Sequence, residues 1–275
     1  MKEKRFNSWL AGLIEGDGSI IVPKSRSTKN RKNYPRIQIA FHIKDKPLAE
    51  KLILIIGGGV LQISGNSVRI MWNRKADNLK VIDMINGYMR TPKILRLHSL
   101  VDWYNEEDNT NIEKKGIDIS PIGENAWLSG MSDADSNFNI IVTKRRNYYR
   151  VQRQWRLDIS QITHYGGDQQ IWAAQVSEYI KSNLLSRHRN MDLTKDKSGP
   201  GKTYSTYMIV AHNQDSIKIM EEYFEKYTLY SSKLLDYKDW KICGTVKENI
   251  ERVKRIKEGM NSQRSHFDWD HLNQL

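Results

Sequence analysis

The chain has 275 residues, enough for one large or two ordinary hydrophobic cores, and carries 44 Lys and Arg against 32 Asp and Glu, a formal charge of +12. That surplus suits a polyanionic partner. The lone cysteine, Cys243, excludes an internal disulfide framework and a thiolate-rich metal centre within one chain; no apolar run approaches a membrane span, and with Met1 to Arg5 leading straight into the first motif helix no removable leader is expected ahead of Trp9.

The first predicted element is a helix through Trp9-Leu10-Ala11-Gly12-Leu13-Ile14-Glu15-Gly16-Asp17-Gly18, and it has a second copy in Trp127-Leu128-Ser129-Gly130-Met131-Ser132-Asp133-Ala134-Asp135-Ser136. Small residues recur every fourth position, Ser8, Gly12 and Gly16 in one copy and Ala126, Gly130 and Ala134 in the other. That spacing lets two helix backbones approach closely. A strand is expected from Ser19 to Val22, then a basic loop with Lys24, Arg26, Lys29, Arg31 and Lys32, then a strand with Ile37, Ile39, Phe41 and Ile43 on one side and Arg36, Gln38, Ala40, His42 and Lys44 on the other. No acid occurs between Asp17 and Asp45.

Asp45-Lys46-Pro47 opens a helix that Gly57-Gly58-Gly59 stops; lacking a following Lys-Ser/Thr, the glycines read as a turn and not a phosphate loop. Val60 to Ser64 and Val68 to Trp72 flank a Gly65-Asn66 hairpin turn, with Gln62, Ser64 and Arg69 facing outward. Helical spacing returns at Asp77 to Ile85, and Thr91-Pro92-Lys93 begins another helix. Asn105 to Glu124 is polar and aperiodic, which sets expected boundaries of 1–108, a linker over 109–123, and 124–275.

The order then repeats. A strand from Asn137 to Val142 leads into Lys144, Arg145, Arg146, Arg150, Gln152, Arg153, Gln154 and Arg156, again without an acid before Asp158. Gln169 to Leu185 reads as a helix, Arg187 to Lys202 as a longer basic loop, and Thr203 to Val210 as a strand. Ser232-Lys233-Leu234-Leu235 echoes Pro92-Lys93-Ile94-Leu95, and Val246 to Asn261 adds an amphipathic helix. Each half therefore reads as about α-β-β-α-β-β-α-α, an α+β class.

Paired acids at helix ends beside a basic surface suggest metal-dependent phosphodiester hydrolysis. Hard cations such as Mg²⁺ take oxygen ligands and keep waters, so Asp17 and Asp135, with the carbonyls of Gly16 and Ala134, can hold ions that activate water and stabilise the leaving oxygen. Glu15 and Asp133 point about 200° away on the same helices and cannot share that site. The matched Lys93 and Lys233 can orient water or offset developing charge. His42 or Gln161 can position water, the repeats aligning there in two registers. The basic strands offer Lys and Arg for phosphates, and Arg, Gln and Asn for base edges in a major groove.

The paired motifs resemble the LAGLIDADG homing endonuclease family in its single-chain, two-repeat form, from about Phe6 to Trp240. Leu10 to Gly18 departs from the namesake motif mainly at Glu15 and Gly16; Leu128 to Ser136 is looser but keeps Asp135. The resemblance implies two pseudo-symmetric repeats with an antiparallel β-saddle on double-stranded DNA and helices on its other face. It also implies two or three divalent ions at Asp17 and Asp135, Mg²⁺ with Mn²⁺ able to substitute and Ca²⁺ supporting binding alone. Lys93 and Lys233 match active-site basic residues, and both strands are cut, leaving 3′ overhangs. The Phe6 to Ile14 opening looks like proteins encoded by fungal mitochondrial introns, which implies a monomer made inside the organelle. The competing readings are an intron RNA maturase and a DNA-binding protein of this fold that does not cleave.

Overall fold

The computed structural model describes residues 2–23, 33–190 and 203–275. The first repeat runs α1 (Lys2–Asp17), β1 (Gly18–Ile21), β2 (Arg36–His42), α2 (Lys46–Ile56), β3 (Val60–Ser64), β4 (Ser67–Trp72), α3 (Lys75–Ile85) and α4 (Ile94–Asp108). The second runs α5 (Trp127–Asp135), β5 (Ser136–Lys144), β6 (Tyr149–Ser160), α6 (Gln170–Tyr179), β7 (Leu185–Asn190), β8 (Thr203–Ala211), α7 (Gln214–Lys226) and α8 (Lys233–Thr245), followed by α9 (Ile250–Glu258). The expected α+β order is present in both. Among the described residues no helix is long and apolar enough to cross a membrane.

Each repeat holds a four-stranded antiparallel sheet, ordered β1-β2-β4-β3 and β5-β6-β8-β7. Period-two alternation sorts the side chains. In the first sheet Ile37, Ile39, Val68, Ile70 and Trp72 are fully buried on one face, under α2 and α3, and in the second Phe138, Trp155, Leu157 and Ile209 do the same. Gly57 closes α2 in the left-handed region at φ 71°, its N–H donating to the Ile53 carbonyl, so the triple glycine is a helix stop as read.

The helix expected over Gln169 to Leu185 ends at Tyr179. Lys181 turns to φ 52° and the Ser182 N–H donates back to the Ser177 carbonyl at 2.8 Å, a termination that frees Leu185 to open β7. The segment after α4 forms no strand and a lone 3-10 turn, Ile122–Glu124, yet it is tied down. The Asp118 N–H donates to the Met89 carbonyl at 2.8 Å, and Arg90 reaches the Asp118 carboxylate and the Ser120 carbonyl at 2.9 and 2.6 Å.

Two compact units divide the chain differently from the two repeats: Met1–Ala134, Tyr227–Leu235 and Ser265–Leu275 in one, Asp135–Lys226 and Asp236–Arg264 in the other. The first unit includes the second motif helix up to Ala134 because that helix packs against α1. A Cβ on Gly12 would overlap the carbonyl of Trp127, and one on Gly130 the carbonyl of Trp9. The Ser8 hydroxyl accepts from the Ala126 N–H at 3.1 Å, meeting one of the donors that a helix start leaves unpaired. The small-residue spacing in the sequence is this backbone contact.

Candidate active site

Asp17 and Asp135 are the last residues of α1 and α5, and both are exposed. Glu15 and Asp133, two positions earlier, are 6% and 5% exposed, as the rotation of the helix demands. The Glu15 carboxylate accepts from the Trp127 indole N–H at 2.5 Å, from the Arg90 N–H at 3.0 Å and from the Thr91 N–H at 2.6 Å. Asp133 accepts from the Trp9 indole N–H at 2.8 Å, from the N–H groups of Tyr230 and Ser231 at 2.9 Å each, and from the Ser231 hydroxyl at 2.6 Å. Burial pushes both carboxyls above their ordinary pKa, while these hydrogen bonds pull the other way.

The matched lysines fold onto the ends of the same helices. Lys93 Nζ donates to the carbonyls of Ile14, Glu15, Gly16 and Gly18 at 2.9, 2.6, 3.2 and 2.8 Å. Lys233 Nζ donates to those of Ser132 and Ala134 at 3.1 and 2.6 Å. Terminal helix carbonyls lack intrahelical partners and carry the negative end of the dipole, so an ammonium is well placed there. Lys93 thereby flanks Asp17 on both sides in sequence. The Gly16 and Ala134 carbonyls, expected as cation ligands, accept hydrogen bonds from Lys93 and Lys233. A few hard oxygens suit Mg²⁺, which retains waters, and among the described residues no cluster of three or more His, Cys, Asp or Glu could hold a metal unaided.

The face of the first sheet opposite its core presents Arg36, Gln38, His42, Gln62 and Arg69, as expected, with Gln62 directly opposite Arg69. Lys24, Arg26, Lys29, Arg31 and Lys32 lie outside the described residues. In the second sheet Arg150, Gln152, Gln154 and Arg156 share one face with Asn137, Asn139 and Thr143. Gln38 Oε1, Arg69 Nε and Arg156 Nε are shielded and make no hydrogen bond among the described residues, polar groups of the kind that a bound partner satisfies. Arg145 and Arg146 sit at the exposed β5–β6 hairpin tip.

Arg153 faces the other way. It shares the parity of Trp155 and Leu157, donates to Glu221 at 2.5 Å and lies 4.6 Å above the Trp240 ring, so its charge is spent inside the fold and not on a ligand. Lys144 also takes the core-face parity, lining a cleft with Tyr149, Lys254 and Lys257. Arg156 is paired with Asp158 at 2.5 Å on the outward face. Gln161 donates to the Ser186 hydroxyl at 2.5 Å and lies one residue beyond the end of β6. Continuing the register past Ser136 and Leu157 puts Asp158 opposite Asp135. His42 Nδ1 accepts from the Lys44 N–H at 3.2 Å. Asn137, Asn139 and Arg187 also point outward; strand alternation alone would have found them.

A family model described as LAGLIDADG endonuclease matches residues 10–104 and 128–243. The chain belongs to the LAGLIDADG endonuclease family. The two matched segments are the two repeats. The intron-encoded DNA endonuclease aI3 of Saccharomyces cerevisiae is 33% identical over 303 residues, covering 98% of this chain and 72% of that protein. The intron-encoded RNA maturase bI4 of the same yeast is 28% identical over 207 residues, 72% of this chain and 30% of that protein. The crystal structure of the LAGLIDADG homing endonuclease I-LtrWI bound to target DNA superposes with a TM-score of 0.72 at 15% identity, covering 96% of this chain and all (100%) of that one, a likeness of fold.

Proposed function

We propose that the protein is a monomeric, site-specific homing endonuclease that makes a double-strand break in a long, nearly asymmetric DNA target by divalent-metal-dependent hydrolysis. The observation that carries this reading is the duplicated helix end: an exposed aspartate closing each motif helix, with a lysine ammonium gathered on the carbonyls beside it. Asp17 and Asp135 hold the ions. Mg²⁺ bound there supplies a Lewis acid and an activated water. Lys93 and Lys233 lend positive charge beside the scissile phosphates, and the outward faces of the two sheets grip the duplex through Arg36, Gln38, Arg69, Arg150, Gln152 and Gln154. Because the two faces differ in sequence, the two half-sites differ. The kinship to a yeast intron-encoded endonuclease supports an intron origin, and we place its site of action in the mitochondrion.

The test is linearisation of a plasmid bearing the intron-less host gene. Cutting in Mg²⁺ or Mn²⁺, with binding alone in Ca²⁺, is the expected result. Tight binding in Ca²⁺ with neither strand cut in Mg²⁺ or Mn²⁺ would overturn the nuclease reading. The yeast maturase relative motivates one added arm, splicing of the intron RNA by the same preparation, since the two activities are not exclusive.

A further inference from the structure

Each lysine-bearing turn is held by the buried acid of its own repeat, and that acid is held by a tryptophan of the other repeat. In the first repeat, Glu15 fixes the N–H groups of Arg90 and Thr91, the Thr91 hydroxyl accepts from the Lys93 N–H at 3.2 Å, and Lys93 caps α1. The donor that completes Glu15 is the indole of Trp127, on the second motif helix. In the second repeat, Asp133 fixes Tyr230 and Ser231, the Ser231 hydroxyl accepts from the Lys233 N–H at 3.2 Å, and Lys233 caps α5. Its completing donor is the indole of Trp9, on the first motif helix.

The ring contacts cross in the same sense. Trp9 meets Tyr230 edge-on, centroids 5.1 Å apart, and the Arg90 guanidinium lies 5.7 Å over Trp127. Each tryptophan therefore touches the opposite repeat's acid and the residue that begins the opposite repeat's turn. Both tryptophans are fully buried, so neither indole can replace its carboxylate with water. An unmet buried carboxylate is costly, and the turn that shares it must adjust.

We propose that Trp9 and Trp127 are crossed positioning residues: Trp9 sets the placement of Lys233, and Trp127 that of Lys93, so that neither half of the site is assembled unless the other repeat's motif helix is seated. The consequence is coordination of the two strand cuts. This inference rests on the nuclease reading for its effect on cleavage, but not for its structural part.

The test uses Trp9→Phe and Trp127→Phe in the full chain, which keep an aromatic ring and remove the indole donor together with part of the buried ring volume. Amide hydrogen exchange reads the turns directly: Trp9→Phe should loosen Tyr230 and Ser231 and leave Arg90 and Thr91 protected, with the reverse for Trp127→Phe. Single-turnover cleavage of a strand-labelled target reads the chemistry, with strands assigned by Lys93→Met and Lys233→Met. Trp9→Phe should slow the strand that Lys233→Met slows, by roughly tenfold, the cost of one unmet buried hydrogen bond, and leave the other strand unchanged. Loosening of the wrong turn, equal loosening of both turns, or equal slowing of both strands would overturn the crossed arrangement. If the lysine variants slow neither strand, the lysine part of the active-site reading falls, and the exchange pattern alone still decides the inference. A variant too unstable to assay is replaced by Glu15→Gln or Asp133→Asn, which must loosen only the turn of its own repeat.

Discussion

Glu15 and Asp17 stand two residues apart in one helix, Asp133 and Asp135 two apart in another, and the fold uses the members of each pair in opposite ways. The inner acids are buried and saturated with N–H and O–H donors; the outer acids are exposed where the helix gives way to a strand. Residue type is nearly the same throughout. What differs is direction, about 200° of helical rotation, which buries one acid of each pair among donors and leaves the other at the surface, where we propose it binds the ions. The comparison also explains why the motif tolerates Glu at position 15: an inner acid needs reach to a turn and an indole, not a metal-binding geometry.

The comparison breaks most sharply at the outer pair. Asp17→Asn or Asp135→Asn should cost about 10³-fold or more in single-turnover cleavage while the urea midpoint and binding in Ca²⁺ hold. Glu15→Leu or Asp133→Leu should behave inversely, costing about 3 kcal/mol of stability by stranding several buried donors, measured by urea unfolding. Gly12→Ala or Gly130→Ala forces a methyl into a facing carbonyl and should cost about 2 kcal/mol, since backbone cannot step aside as a side chain can.

A pH series sharpens the same contrast. The inner carboxyls sit above their ordinary values of 4.5 and 3.8 because burial disfavours the charged form. An acid raised on folding holds its proton more tightly in the native state. Its stabilising contribution is therefore complete below the unfolded pKa and is lost as pH rises through the folded one. The stability of the parent relative to Glu15→Gln should accordingly fall from about pH 4 upward; a constant difference across that range would contradict it. The smallest effect separates the two faces of β6. Arg150→Leu should lower the salt slope of DNA binding by about one unit, whereas Arg153→Leu should leave the slope alone and lower the urea midpoint through the lost Glu221 and Trp240 contacts.

Much of this was legible in the residues. The duplicated motif, the alternation of Ile37, Ile39 and Phe41, the glycine stop and the matched lysines gave the element order and the outer acids, because periodicity and turn chemistry are local. Other features were not local. That Lys93 and Lys233 cap the motif helices depends on where α4 and α8 begin in space, and no spacing encodes it. The partners of Glu15 and Asp133 lie between 75 and 124 residues away in the chain. Arg153 is different: its position two before Trp155 and four before Leu157 places it on the apolar face by alternation, so reading the basic run by charge alone hid a signal that was present.

The central claim, that the outer acids bind the ions and the inner acids do not, is tested most directly by counting Mn²⁺ bound to the protein–DNA complex by electron paramagnetic resonance. The Glu15→Gln, Asp133→Asn double variant should retain the parent's full complement, and the Asp17→Asn, Asp135→Asn double variant should lose it. Retention by the outer variant, or loss confined to the inner one, would contradict the account.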